Sequence, residues 1–189
     1  RVDLNHNAVS GNSAALYYRH PRLGDSRHAL AANIRAAEEG HDLALSVSHP
    51  FYALLVPWSY GVSMTSSEHI ARLYSRQDLV AKYEDRREAV SAWVTRSYGS
   101  QRKFRAGVRL SMSDHRFTSK ANFAYVPEDR RRVLPSIGLT VWKPRYEKTR
   151  FLFTLGRVED VQLGNWLDMR LGASAKHLGS DRNFGFVQV

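Results

Sequence analysis

The stretch KFRAGVRLSMSDHRF, Lys103 to Phe117, decides the fold class. Its even positions are Phe104, Ala106, Val108, Leu110 and Met112. Its odd positions are Arg105, Gly107, Arg109, Ser111 and Ser113. Successive side chains of an extended chain point to opposite faces, so this period of two describes a strand with one apolar and one small or polar face. The run also exceeds the ~5–6 residues of an ordinary soluble strand.

The same alternation recurs outward from this stretch. Trp58, Tyr60, Val62 and Met64 oppose Ser59, Gly61, Ser63 and Thr65. Leu43, Leu45 and Val47 oppose Ala44, Ser46 and Ser48, and Leu30, Ala32 and Ile34 oppose Ala31, Asn33 and Arg35. Towards the C-terminus, Ile137, Leu139 and Val141 oppose Ser136, Gly138 and Thr140. Phe151, Phe153 and Leu155 oppose Leu152, Thr154 and Gly156, and Leu167, Met169 and Leu171 oppose Trp166, Asp168 and Arg170. Turn-forming clusters separate these runs at Pro21 to Asp25, Glu38 to Gly40, Gly99 to Arg102, Pro127 to Arg131, Lys143 to Pro144 and Gly179 to Asn183. The expectation is an all-β antiparallel up-and-down transmembrane β-barrel or partial barrel of roughly ten strands, in one domain over residues 1–189. The segment Glu68 to Glu88 is ambiguous. A helix from Asp78 to Ala92 would use Asp78 as its N-cap, but the preferred reading is a strand ending near Tyr83, a charged turn at Asp85 to Arg87, and a strand from Ala89 to Tyr98.

Composition bounds the function. The chain has 189 residues, a formal charge of +10 and no cysteine. The excess of cations suits an anionic partner, either nucleic acid or a phosphate-rich membrane face. Disulfides and thiolate chemistry are excluded. No apolar run approaches the ~20 residues of a membrane-spanning helix. The chain begins with Arg1, which reads as a processed product or a fragment.

Three features favour a membrane barrel over a soluble sandwich. The polar face consists of Gly, Ser, Ala, Thr, Asn and Arg, where a solvated strand would carry Lys, Glu and Thr; small residues with scattered Arg suit a crowded barrel interior. The aromatics Tyr17, Tyr18, Phe51, Tyr52, Trp58, Trp93, Tyr98, Trp142, Tyr146 and Trp166 fall mostly near strand ends, as in the aromatic girdles at the two lipid–water boundaries. Several runs reach the ~9–11 residues that cross a bilayer at a tilt. On this reading Val108, Leu110, Val62 and Leu45 face lipid.

Two turns add a resemblance. Tyr18-Arg19-His20-Pro21-Arg22-Leu23-Gly24 closes one strand, and His49-Pro50-Phe51-Tyr52 closes the hairpin that follows. Their markers Pro21, Gly24, Pro50, Phe51 and Tyr52 resemble the turns that open the barrel of the BamA/TamA surface-antigen superfamily of outer-membrane assembly and translocation proteins. Gly156-Arg157-Val158-Glu159-Asp160-Val161-Gln162-Leu163-Gly164 resembles an Arg-x-Glu-Asp-x-x-x-Gly strand segment of the same superfamily. Neither the superfamily's soluble POTRA domains nor its lumen-loop Arg-Gly-(Phe/Tyr) motif occurs in these residues, so the resemblance implies the N-terminal part of a larger barrel. It also implies a bacterial outer-membrane location and a non-enzymatic function in membrane protein insertion or substrate translocation, by strand addition at a weakly paired barrel seam. The implied partners are the lipid bilayer and lipopolysaccharide, unfolded outer-membrane protein substrates, and accessory assembly proteins.

No residue pattern requires a catalyst. The histidines 6, 20, 28, 41, 49, 69, 115 and 177 lack metal-ligand spacing and read as surface or turn residues. Nucleophile-elbow, P-loop and dinucleotide motifs do not occur, and neither a metal nor a cofactor is implied. Glu159 and Asp160 would point to opposite faces, whereas Arg157 and Glu159 share one and suit a salt bridge in the lumen. Arg130, Arg131 and Arg132 form the strongest basic run, joined elsewhere by Arg86, Arg87, Arg102 and Lys103. They read either as solvated loops or as a rim cluster touching lipid phosphate. The alternatives to an assembly factor are a generic outer-membrane pore or structural barrel and, more remotely, a soluble basic β-sheet domain for nucleic acid or a ligand. Aromatics that alternate with small residues and do not cluster with the Arg on one face argue against nucleic acid.

Overall fold

A computed structural model describes residues 1–7, 11–120, 125–150, 158–162 and 164–189. The strands are β1 (Val2–Asn7), β2 (Gly11–His20), β3 (Ala29–Ala37), β4 (Gly40–His49), β5 (Trp58–Ser75), β6 (Asp78–Tyr98), β7 (Lys103–Ser119), β8 (Arg130–Trp142), β9 (Tyr146–Arg150), β10 (Val158–Gln162), β11 (Trp166–Ser174) and β12 (Phe184–Gln188), and the alternating runs fall in β3, β4, β5, β7, β8 and β11. Ten of them form one antiparallel sheet in the order β1-β2-β3-β4-β5-β6-β7-β8-β11-β12, while β9 and β10 pair as a separate hairpin. The architecture is all-β and up-and-down. The sheet is open: among the described residues β1 pairs only with β2, and β12 only with β11.

The residues Glu68 to Glu88 correct the sequence reading. The charged triplet Asp85 to Arg87 is not a turn. It lies inside β6, a 21-residue strand whose ladder with β5 runs through His69↔Asp85 and Ser67↔Arg87. The turn falls earlier, at Arg76 and Gln77, with φ of 49° and 77°. Two adjacent left-handed residues match the twist of a two-residue hairpin, but Arg and Gln are not the residues that usually supply it. Charge clusters suggest exposure, and a long strand projecting past a neighbour's end satisfies that as well as a turn does. The helical reading of Asp78 to Ala92 is likewise replaced by strand. The strand expected at Phe151 to Leu155 lies outside the described residues.

Registers fix the faces. Leu45↔Met64, Val62↔Ala92, Val94↔Val108 and Val108↔Ile137 place one apolar set on a single face of the sheet. That face is the more exposed: Val62 is 53 % exposed, Val108 54 % and Ile137 58 %. The buried residues include Ser59, Ser97, Ser136 and Ser174 on the opposite face. Water-facing proteins bury the apolar face and expose the polar one; here the arrangement is inverted.

The β11–β12 connection performs a local repair. β11 stops at Ser174, leaving the first residues of β8 without a neighbour on that side. The Ser180 hydroxyl accepts from the Val133 amide at 2.7 Å and donates to its carbonyl at 3.2 Å, and the Asp181 carboxylate accepts the Arg131 amide. Side-chain and loop groups stand in for a missing strand, as buried backbone requires.

Candidate functional site

The candidate site is the sheet's two faces and its two ends, which differ in chemistry. Along β7 the apolar face runs from Phe104 to Met112, about 27 Å at ~3.4 Å per residue. On neighbouring strands the same band holds Val90, Ala92 and Val94, then Val133, Pro135, Ile137, Leu139 and Val141; Arg96, opposite Ala106, is the one charged residue on these strands within it, one pair in from the Tyr98–Phe104 margin. Other charges begin at its margins. At the end reached by turns Glu38–Glu39 and Arg76–Gln77, the apolar face gives way to Glu88, Arg86, Asp114 and Arg116. There Arg86 pairs with Glu88 at 2.6 Å and Arg116 with Asp114 at 2.7 Å.

The opposite end carries a second cluster of aromatics, which includes Trp58, Trp142 and Trp166. Tyr18, Trp58, Tyr60, Tyr98 and Phe104 border the apolar band, and Tyr17, Trp142 and Trp166 lie on the polar side. Girdles were expected at both boundaries; these aromatics lie at one, and Tyr74, Tyr83, Phe117 and Phe184 lie at the other, with the Tyr83 and Phe117 ring centroids 5.6 Å apart. Arg96 lies 5.0 Å from the Trp58 ring and 4.9 Å from the Tyr98 ring, and Arg105 lies 3.8 Å from Phe51 and 4.4 Å from Trp142. Stacking a guanidinium on a ring face keeps its charge partly hydrated while its plane covers apolar surface.

Both turns that carry the resemblance sit at this aromatic end. In the first, Gly24 is left-handed at φ 56° and the Leu23 amide donates to the His28 carbonyl at 2.8 Å, with Pro21 exposed at its start. In the second, the Tyr52 amide donates to the Pro50 carbonyl at 2.9 Å. Tertiary contact joins them: Arg27 stacks 4.3 Å from Tyr52, and His28 bonds the Tyr60 hydroxyl at 3.0 Å. Phe51 meets Arg105, a residue of the polar face, so this turn folds over that side of the sheet.

The polar face holds a belt of ionisable groups. The His69 ring lies 2.8 Å from the Asp42 carboxylate, which also faces Arg35 at 3.7 Å. The His115 ring lies 2.6 Å from Asp85, which Arg87 bonds at 2.7 Å. Thr140 donates to Asp168 at 2.6 Å, and Arg109 lies 5.1 Å from the Trp93 ring. Sequence reading placed the histidines on surfaces and turns; His69 and His115 are instead strand residues bonded to carboxylates on neighbouring strands. Parity marks their face, but only the register brings partners 27 and 30 residues apart together. Among the described residues, no group of three His, Cys, Asp or Glu side chains converges as a metal site would need.

The four lipid-facing candidates, Val108, Leu110, Val62 and Leu45, share the exposed apolar face. The Arg130–Arg132 cluster is not a single patch. β8 begins at Arg130, so strand alternation sends Arg131 to the side of Asp114 and sends Arg130 and Arg132 to the side of His115 and Ser113. Arg157 and the Glu159 side chain, the lumen pair, lie outside what the structure describes. No protein-family model matches the chain, and no curated protein matches it.

Proposed function

We propose that this chain is a membrane-spanning β-sheet of a bacterial outer-membrane barrel, acting without catalysis in the insertion or translocation of other proteins as BamA/TamA-type factors do. One observation supports the membrane assignment above the rest. An exposed apolar band, charged only at Arg96 beside its aromatic margin, crosses the sheet, while the face behind it holds Ser, Gly, Thr and paired ions. A strand sheet in hydrocarbon needs such a band about 25 Å tall, with its backbone amides paired between strands. The assembly role rests on the two proline turns, which share one end of the sheet and touch through Arg27 and Tyr52. The bilayer is then the first partner, with lipopolysaccharide at the rim and unfolded outer-membrane proteins as substrates.

The membrane assignment is tested by flotation. Chain refolded from urea with phosphatidylcholine vesicles should rise with them on a density gradient and resist extraction at high pH. A chain that stays folded and monodisperse in buffer without detergent would overturn it. The assembly role is tested separately, by cross-linking an unfolded outer-membrane protein to cysteines placed on the edge strands β1 and β12. Absence of such adducts, with flotation intact, would leave a plain pore or structural barrel.

A further inference from the structure

The apolar face is not smooth. One row across it reads Trp58, Arg96, Ala106, Leu139 and Met169, from β5 to β11. Ala106 is the short member, and beside it opens a groove of about 510 Å³. Val94, Val108, Ile137 and Leu171 wall the groove on the side nearer the middle of the band, and Leu139 and Met169 wall it laterally. Arg96 is the one charged residue lining it. That guanidinium is exposed, is held between the Trp58 and Tyr98 rings, and has no carboxylate within ion-pair distance among the described residues. Its counterparts at the other margin of the band, Arg86 and Arg116, are each neutralised by an acidic neighbour.

We propose that this groove binds one anionic phospholipid, with an acyl chain against Ala106, Leu139 and Met169 and the headgroup phosphate on Arg96. The argument is one of charge and depth. An uncompensated cation fixed at the aromatic margin meets the level of lipid phosphates, and the apolar slot runs from it towards the middle of the band. A zwitterionic lipid brings its own cation to that level, so Arg96 discriminates against it. Aromatic stacking pre-orders the side chain, which lowers the entropy lost when phosphate binds. The proposal rests on the membrane reading of the sheet.

The test is photo-cross-linking in vesicles. The full chain is inserted into phosphatidylcholine vesicles doped with phosphatidylglycerol or phosphatidylcholine carrying the same diazirine-labelled acyl chain, and adducts are mapped by mass spectrometry. Phosphatidylglycerol adducts should concentrate on Ala106–Val108, Leu139 and Met169. Arg96→Gln should lower them about fivefold, the worth of one cation near an anionic surface. Arg96→Lys should retain most of them, Ala106→Leu should reduce them by filling the slot, and Arg86→Gln should leave them unchanged. Adducts spread evenly around the band, or equal for the two lipids and indifferent to Arg96→Gln, would overturn the site while flotation still upheld the membrane reading. Failure to float would remove both.

Discussion

Gly61 lies on the polar face of β5, where an added Cβ would meet the Trp93 indole at 2.6 Å and the Ser48 Cβ at 2.7 Å. The missing side chain lets a large ring from the neighbouring strand lie across the sheet, a known way to support a glycine within a strand. Gly61→Val is therefore expected to cost about 1–3 kcal/mol by overpacking, and Gly61→Val with Trp93→Ala to recover part of that loss. Both are read from urea titration of the vesicle-bound chain. Gln77 presents the opposite case, a side chain where none is wanted. Its φ of 77° is left-handed, which costs an L-residue about 1–2 kcal/mol. Gln77→Gly should accordingly raise stability by about 1 kcal/mol, and a fall would contradict the hairpin geometry. The sequence held the alternation that puts Gly61 on the small-residue face. It held no sign of the Arg76–Gln77 turn, because neither residue favours φ above zero and the turn is imposed by the pairing of β5 with β6.

At the scale of the element, β7 carries the face assignment. Val108 is on the exposed apolar face and Ser111 on the other, three residues away. Val108→Arg should impair insertion by about 2–4 kcal/mol if it reaches the bilayer midplane, while Ser111→Arg should fold and insert normally. Equal effects, measured by the fraction of chain that floats with vesicles, would sink the face assignment. The turn between β3 and β4 offers a pH reading. The Arg72 guanidinium, from the far end of β5, bonds the Glu39 carboxylate and holds it below the usual carboxylate range. A carboxylate lowered in the folded state adds stability above its unfolded pKa of about 4.3, and that stability is lost as pH falls through the folded value. Glu39→Gln should therefore remove part of the acid sensitivity below about pH 4 and leave unfolding near neutrality with a smaller change of its dependence on pH. An acid limb identical to that of the parent chain would show the pair to be inconsequential. The Ser180 clasp on Val133 makes a further element-scale point: no sequence signal links residues 47 apart, and the contact exists because β11 ends before β8 begins.

Over the whole molecule, the asymmetry of the two ends is the main surprise. Trp58, Trp142 and Trp166 gather at the end holding the Pro21 and Pro50 turns, whereas the other end combines Tyr74, Tyr83 and Phe117 with the Arg86–Glu88 and Arg116–Asp114 ion pairs. In a bilayer, Trp58 should then be quenched most by lipids brominated close to the headgroup. Val90→Trp, introduced within the band, should be quenched by lipids brominated deeper along the chain. Matching depths would contradict the placement of the aromatic margin. The sequence by itself determined the all-β class, the up-and-down order and the identity of the apolar face. Those depend on a period of two and on local turn chemistry, both of which are written within a few residues. The tertiary structure alone decided which histidines meet which aspartates, that the basic run at Arg130 is divided between faces, and that Ala106 opens a slot beside an unpaired Arg96. Each of these depends on register between strands, and register is a long-range property: a slip of one residue would keep every alternation and exchange every partner.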